Sequence, residues 1–381
     1  VLTRNIRRFI WNCGYRATIC ALRPLNLLLI ALRKKDYYPN SVLHVSYMVH
    51  IPYFTVHILR TYGMKADYMA VGTSDVWNKC DFQVTYSSNP IAGALRSFLV
   101  FWRVVAKYEI IHSHFMLTMS PDGWELPVLK KLGRKIVVHY RGCEARQRTK
   151  NMQLHPDMNI CQECDYDTYC EDDTQTKRRS LARKYGDLFL VTTPDLKDFV
   201  PDAVHQTFFA PDIAIQNRTE RQDQARTKIV HATNHPGIEG TSIIRETIDR
   251  LNRQGYSIDF VFLKGVPYER VLEEYRTADI AIGKMKMGYY ANGQIESMTM
   301  GVPTITYVRP EFMTDELRQS GFIFSDPEQL EETLKYYLDN PQELDKKRKI
   351  ARSSILGLHD NDRLARQLIE IYGSLRQRMA V

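Results

Sequence analysis

The feature that most constrains this chain is a repeated alternation of short apolar runs with helix-like segments, clearest between Ala278 and Val308. Asp279 to Gly283 is a short apolar run that leads into a glycine-bearing loop. Ile295 to Met300 reads as a helix, Gly301 stops it, and Val302 to Tyr307 is a second apolar run. The order strand, loop, helix, glycine stop, strand is one βα unit of a parallel sheet. One carboxylate, Glu296, stands near the predicted helix start, just after the loop. Parallel sheets bind ligands outside the carboxyl ends of their strands, where helix N-termini face anions.

The same alternation fills the rest of the chain. Strands are predicted at Ser41–Val49, Asp67–Val71, Lys107–His114, Lys135–Tyr140 and Asp187–Thr192. Helices are predicted over Ala92–Val105, Gly123–Leu132 and Lys177–Tyr185, with a shorter one through Val56–Arg60. From Ala210 to Thr227 the chain turns polar, which reads as a linker. Beyond it come strands at Lys228–Ala232 and Ile258–Leu263, and helices at Gly240–Gln254, with Thr241 as candidate N-cap, and Tyr268–Thr277. The tail from Pro327 to Met379 reads as helical, with breaks near Pro341 and 356–360. The fold class is α/β: two doubly wound, Rossmann-like domains facing a cleft. The expected boundaries are an arm at 1–40, a first domain at 41–210 with an insertion at 143–175, and a linker at 211–227. A second domain follows at 228–358, and a last helix at 359–381 packs back on the first domain.

Charge narrows the function. The formal net charge is +8, yet residues 1–35 hold eight basic residues and no acid, so residues 36–381 balance at 44 basic and 44 acidic. Basicity confined to one end argues against a nucleic-acid-binding protein. That end interleaves arginines with Phe9, Ile10, Trp11, Ile19 and Leu22, and Arg23-Pro24 interrupts its longest apolar run. It is a poor membrane span and reads either as an amphipathic anchor on an anionic membrane surface or as a helical arm packed on the first domain. The anchor reading places the protein in the cytoplasm, peripheral at the inner face of the membrane.

Several words of the second half are similar to a known family. They are Ile229 to Asn234, Glu239-Gly-Thr241, Ala278-Asp-Ile280, Gly288 through Met298, and Gly301-Val-Pro303. These resemble the C-terminal domain of retaining, nucleotide-sugar-dependent GT-B glycosyltransferases of the family 4 type. Tyr108 to His114, Val137 to Arg146 and Leu190 to Pro194 are similar to that family's first domain. The resemblance implies transfer of a sugar from a nucleotide-sugar donor to a glycan or lipid-linked glycan, with no catalytic metal. It implies that Glu296 accepts hydrogen bonds from the nucleotide ribose, a pairing in which one carboxylate takes two hydroxyls. Ser297, Gly293 and the neighbouring backbone N–H groups would meet the diphosphate. His114, Arg141 and Glu144 are the catalytic candidates, with Arg146 beside them.

The chain also departs from that pattern. Gly288 stands where the family has a second glutamate. Asn234 and Glu239 stand where it has an arginine and a lysine against the donor phosphates, and a carboxylate facing diphosphate is repulsive. Lys264, Lys284 and Lys286 are the candidate replacement cations, with Asn234 and Thr241 nearby. If none serves, the alternative is a donor-dead scaffold of the same fold that binds glycan or a partner protein. A separate motif is Cys161-Gln-Glu-Cys164 with Cys170 downstream and Cys143 upstream. Four thiolates could hold a structural zinc or an iron–sulfur cluster; the alternative is free or disulfide-bonded cysteines.

Overall fold

A computed structural model describes residues 2–74, 77–156, 158–166, 169–171, 173–211 and 226–377. Most of the expected linker, 212–225, lies outside the described residues. Twelve strands are described: β1 (Tyr38–Tyr47), β2 (Lys65–Val71), β3 (Phe82–Val84), β4 (Tyr108–His114), β5 (Lys135–Tyr140), β6 (Leu188–Val191), β7 (Val204–His205), β8 (Thr227–Ala232), β9 (Ile258–Leu263), β10 (Ile280–Ile282), β11 (Thr304–Thr306) and β12 (Ile323–Phe324). They form two sheets, ordered β3-β2-β1-β4-β5-β6-β7 and β12-β11-β10-β8-β9, and every described pair is parallel. This is the α/β architecture that the alternation predicts. The strand order reverses between β1 and β4 in the first sheet and between β8 and β10 in the second. Those two gaps are where a doubly wound sheet opens a crevice.

The helices follow from apolar faces and local end signals. In Pro90–Arg103, Asn89 Oδ1 accepts from the N–H groups of Ile91 and Ala92 at 2.9 and 3.1 Å, and Pro90 occupies the first turn. Its Phe98, Phe101 and Trp102 bury against β1, β2 and β4 in the first core. Of the two N-terminal helices, Leu2–Ala21 lies on that helix through Tyr15, and Arg23–Arg33 through Asn26, whose Oδ1 accepts from Trp102 Nε1 at 3.0 Å. Tyr15 is fully buried and shares a 2.6 Å hydrogen bond with Ser97.

In the helix Thr241–Arg253 the expected cap is corrected. Gly240, at φ 82°, takes the cap position, and Thr241 Oγ1 turns inward to His231 Nε2 at 2.8 Å. A left-handed residue with Met285 Cβ 3.2 Å from an added Cβ leaves room only for glycine. The last helix, Asn361–Gln377, buries Leu364, Ala365, Leu368 and Tyr372 in the core formed by β1, β2 and β4 of the first sheet. Asn361 Oδ1 and Nδ2 bond the N–H and C=O of Ala210 at 2.9 and 3.0 Å, which ties the outgoing and returning chains at the crossing point.

Candidate active site

A cavity of about 360 Å³ opens at the β8/β10 gap of the second sheet. Its floor is the helix Asn292–Thr299. This helix begins three residues before the predicted Ile295, because Gln294 Oε1 accepts from the N–H of Ala291 at 2.9 Å and closes the first turn. Gly283 lets that glutamine approach, since a Cβ there would meet Gln294 Nε2 at 2.2 Å. Glu296 therefore sits one turn inside the helix, and Gly293 stands in the first turn with open space beside it.

Glu296 is buried and lines the cavity. Burial pushes its carboxyl up to about 8, opposed by a hydrogen bond from Tyr268. His50, from the first domain, brings Nε2 to 3.7 Å of Glu296 Oε1. Burial, and then the charge of Arg141, push His50 down to about 4. At neutral pH the two groups face each other uncharged, so the contact is not an ion pair. His50 stacks on Tyr268 at 5.9 Å between ring centroids, and Trp77 joins it edge-on at 6.0 Å. This aromatic wall brings both domains to one cavity.

The structure reassigns the expected cations. Lys284 lines the cavity, but its Nζ lies 2.9 Å from Glu239 Oε1. Lys286 Nζ lies 2.7 Å from Glu163 Oε2, on the cysteine-bearing insertion, and does not line the cavity. Lys264 is exposed and lies outside the lining as well. Asn234 does line it, and its Oδ1 accepts from the N–H of Gly265 at 2.9 Å. Ser297 Oγ is spent on Thr304 Oγ1 at 2.7 Å and on Gln294 O at 3.1 Å, so its hydroxyl holds the helix to β11. Glu239, the expected source of repulsion, is the group that neutralises Lys284.

The insertion docks on the second domain. Asp165 accepts from the N–H groups of Gly237 and Ile238 at 3.3 and 3.0 Å, and Glu163 accepts from Ser242 Oγ at 3.0 Å. The fit at Gly237 is close: a Cβ there would meet Glu163 O at 1.9 Å. The four cysteines expected as metal ligands come near one another, Cys161 and Cys164 both acting on the Cys143 thiol, without closing to ligand distance. All seven cysteines are free thiols, and among the described residues no three of Cys143, Cys161, Cys164 and Cys170 bring their sulfurs within 4.8 Å of one another. Cys161 Sγ instead takes a hydrogen bond from Asn151 Nδ2 at 3.3 Å, and Cys143 and Cys161 join a small apolar cluster with Ile160 and Ile238.

Across the cleft, the β1/β4 gap of the first sheet carries a buried group of histidines: His44 on β1, His112 and His114 on β4, and His139 on β5. Neighbouring rings stack, with centroids 4.5 Å apart for His44–His112 and for His112–His114. Arg141 Nε donates to His114 Nδ1 at 2.8 Å, and its guanidinium lies over Phe208. Glu144 is buried and accepts from the N–H groups of Arg141 and Gly142, so it organises the loop rather than facing the cavity. Arg146 is bound to Asp195.

Reading the sequence missed His50, Trp77 and Tyr268 as cavity walls, His44 and His112 as neighbours of His114, and Tyr372 as the partner of His112 and His44. The pattern His112-x-His114 does place both side chains on one face of a strand. Tyr372, which bonds His112, is 260 residues away, and nothing local announces it.

No protein-family model matches the chain, and comparison with curated proteins gives no match either. Solved structures do match. A sucrose-phosphate synthase from Thermosynechococcus elongatus aligns with TM-score 0.57 and 14% identity over 89% of this chain and 100% of its own. The catalytic domain of Arabidopsis thaliana starch synthase IV, bound to ADP and acarbose, aligns with TM-score 0.56 and 11% identity over 90% and 99%. Anabaena HepE in complex with UDP-glucose aligns with TM-score 0.54 and 9% identity over 88% and 99%. The chain has the GT-B fold that these two-domain glycosyltransferases share.

Proposed function

We propose that this chain is a glycosyltransferase. It takes a sugar from a nucleotide-sugar donor bound in the Glu296 cavity and passes it, with retention, to a glycan or lipid-linked glycan held on the first-domain side. The observation that carries this reading is the cavity itself. It sits at the strand-order reversal of the second sheet, is walled by His50 and Trp77 of the first domain, and holds one buried carboxyl at its floor. Two of the solved structures sharing the fold were obtained with UDP-glucose and with ADP, which supports a nucleotide in the equivalent crevice.

Glu296 accepts the ribose hydroxyls, and Tyr268 with His50 provides a flat aromatic surface beside it. Retaining transfer asks the protein mainly for positioning and charge stabilisation rather than for a strong base. Calorimetric titration with UDP, GDP and ADP tests the reading. Glu296→Gln should weaken the best of them by about 30-fold or more, the loss of charge-assisted bonds to two hydroxyls. Equal affinity for the variant and the parent protein removes Glu296 from the site, and no binding of any nucleotide removes the transferase reading.

A second reading has its own observation. Lys284 and Lys286 are both neutralised, by Glu239 and Glu163, which favours a fold that keeps the cleft but no longer holds a diphosphate. The same titration separates the two readings.

The N-terminal arm is proposed to rest on an anionic membrane surface at the cytoplasmic face. It leaves Phe9, Ile10, Leu25, Leu27, Leu28 and Leu32 exposed beside its arginines, and the helix beneath it exposes Ile91, Leu95 and Leu99. Among the described residues no single helix is long and apolar enough to cross a membrane; the bent pair Phe9–Ala21 and Arg23–Arg33 passes on length and composition only. Trp11 and Tyr15 tie the arm into the domain, so its removal would disturb the core. The informative variant is Leu27→Glu with Leu32→Glu. It should abolish co-sedimentation with vesicles containing phosphatidylserine and leave the fold intact, whereas unchanged sedimentation would overturn the assignment.

A further inference from the structure

A second cavity, of about 60 Å³, is walled by the loop that leads into the floor helix. Lys284 lines the Glu296 cavity; two and three residues on, Lys286 and Met287 line this one. Consecutive Cα atoms are about 3.8 Å apart, so the backbone that walls one cavity comes within about 8 Å of the backbone that walls the other. Gly288 follows in the same loop, at φ 76°, and a Cβ there would meet Arg309 Cγ at 2.5 Å. Arg309 therefore lies across the loop, and only glycine leaves it room. The remaining walls come from the first domain, through Asp195 and Phe199, and from the cysteine-bearing insertion. Asn159 shapes the insertion's share: its Nδ2 donates to His155 O at 2.6 Å, and its Oδ1 accepts from the N–H of Cys161 at 2.8 Å.

Charge in this cavity is balanced, and hydrogen-bonding capacity is not. Arg146 Nε and Nη2 both donate to Asp195 Oδ2, the first at 3.1 Å. Arg309 Nη1 donates to Asp198 Oδ2 at 2.8 Å and to His155 Nε2 at 3.0 Å, and its Nε lies 3.3 Å from Glu311 Oε1. Lys286 is bound to Glu163. Each of these cations has its acid, so none is left free for an anion. Asp195 Oδ1 and Arg309 Nη2 are buried and have no hydrogen-bond partner among the described residues, and Asp195 is only 4% exposed. Both side chains line the same cavity. The first atom only accepts and the second only donates. Leaving such atoms unpartnered is costly. A group that satisfies both must give one proton and take one, which a hydroxyl does. Phe199 and Tyr307, half-buried in the same walls, add aromatic surface. A few fixed polar atoms beside aromatic faces match a sugar, with hydroxyls on its rim and C–H groups on its faces.

We propose that this second cavity is a subsite for a neutral sugar of the acceptor glycan. One sugar hydroxyl donates to Asp195 Oδ1, and a sugar oxygen accepts from Arg309 Nη2. The proposal rests on the transferase reading, in which an acceptor comes to lie beside the donor. The shared loop supplies that adjacency, and the insertion becomes one wall of the acceptor site, docked on the second domain through Glu163 and Asp165. Water is the competing occupant, since one molecule needs only roughly 10–15 Å³. The position of the cavity, between both domains and next to the Glu296 cavity, favours the sugar.

Saturation-transfer NMR tests this with the methyl glycosides of glucose, galactose, mannose and N-acetylglucosamine, and with the methyl glycoside of glucuronic acid as the anionic control. At least one neutral glycoside should bind the parent protein. Arg309→Lys keeps a cation for Asp198 but removes Nη2, and should weaken that glycoside by about tenfold or more. Asp195→Asn keeps an oxygen for Arg146 and turns an NH₂ group to the cavity, and should weaken it as much. Calorimetry with UDP, GDP and ADP should give nucleotide affinities within about threefold of the parent for both variants, because neither residue lines the Glu296 cavity. Equal glycoside binding by parent and variants, or no neutral glycoside bound at all, leaves the cavity to ordered water and overturns the proposal. A preference for the glucuronic acid glycoside overturns it too, and so does a parallel loss of nucleotide affinity. Glycoside binding without nucleotide binding keeps the sugar subsite and removes the transferase reading instead.

Discussion

The two walls of the cleft are built from the same kind of unit, the C-terminal end of a parallel strand, yet they handle charge differently. On the second-domain wall each inner lysine has its own glutamate: Lys284 with Glu239, Lys286 with Glu163. On the first-domain wall Arg146 has its own carboxylate in Asp195, while the half-buried Arg141 is held by the His114 ring and the Thr192 hydroxyl. Paired charges are screened from a ligand by their partners. An unpaired charge in a low-dielectric setting is felt at full strength. The comparison teaches that counting cations near a crevice says little about where an anion will go. Their partners decide.

The largest effect expected to sharpen this contrast is on pH dependence. Glu296 is pushed up to about 8; if it takes the nucleotide ribose as a carboxylate, as proposed, binding releases its proton below that pH. The sign follows: affinity rises with pH and levels off above about 8, by up to about tenfold per pH unit on the rising limb. Calorimetry in buffers of different ionisation enthalpy should record about one proton released near pH 6.5. Binding that is flat between pH 6 and 8 would mean that the neutral carboxyl serves as well.

A smaller effect breaks the pairing on the second-domain wall. Glu239→Gln leaves Lys284 lining the cavity without its counter-ion and should tighten diphosphate binding by about three- to tenfold. If binding instead weakens, Glu239 itself touches the ligand. Lys286→Ala should change diphosphate affinity by less than about threefold, because that lysine serves the insertion rather than the cavity.

The smallest effect concerns how the insertion is held. Gly237→Ala places a methyl group where Glu163 O now sits, and should detach 158–166 from the second domain. The expected readout is faster amide exchange confined to that segment, with a fall in Tm of a few degrees at most. Unchanged exchange would show that the ion pair of Lys286 with Glu163 holds the segment by itself.

Much of the fold was legible in the sequence because each βα unit is specified within about 30 residues, by apolar runs and glycine stops. The run before Gly283, the helix stop at Gly301 and the strand after it all lie where the pattern put them. Helix starts were less legible. Gln294 closes the first turn of the floor helix through its own side chain, which moves the start three residues upstream. Glycine rather than Thr241 caps the next long helix, because Thr241 is drawn inward by His231. The cysteine spacing pointed to a metal centre, but the contacts of Cys161 and Cys143 are with Asn151 and an apolar cluster.

The sequence by itself determined the alternation, hence two parallel sheets, and the placement of Glu296 behind a glycine loop at a strand end. Only the tertiary structure decided which charges remain. Lys284 finds its acid 45 residues back, Lys286 finds one 123 residues back, and His112 meets a tyrosine 260 residues ahead. Secondary structure follows from interactions within a few turns, which a local pattern records. The net charge and tautomer of a buried group depend on whichever atoms the completed fold brings within about 3 Å, whatever their distance along the chain.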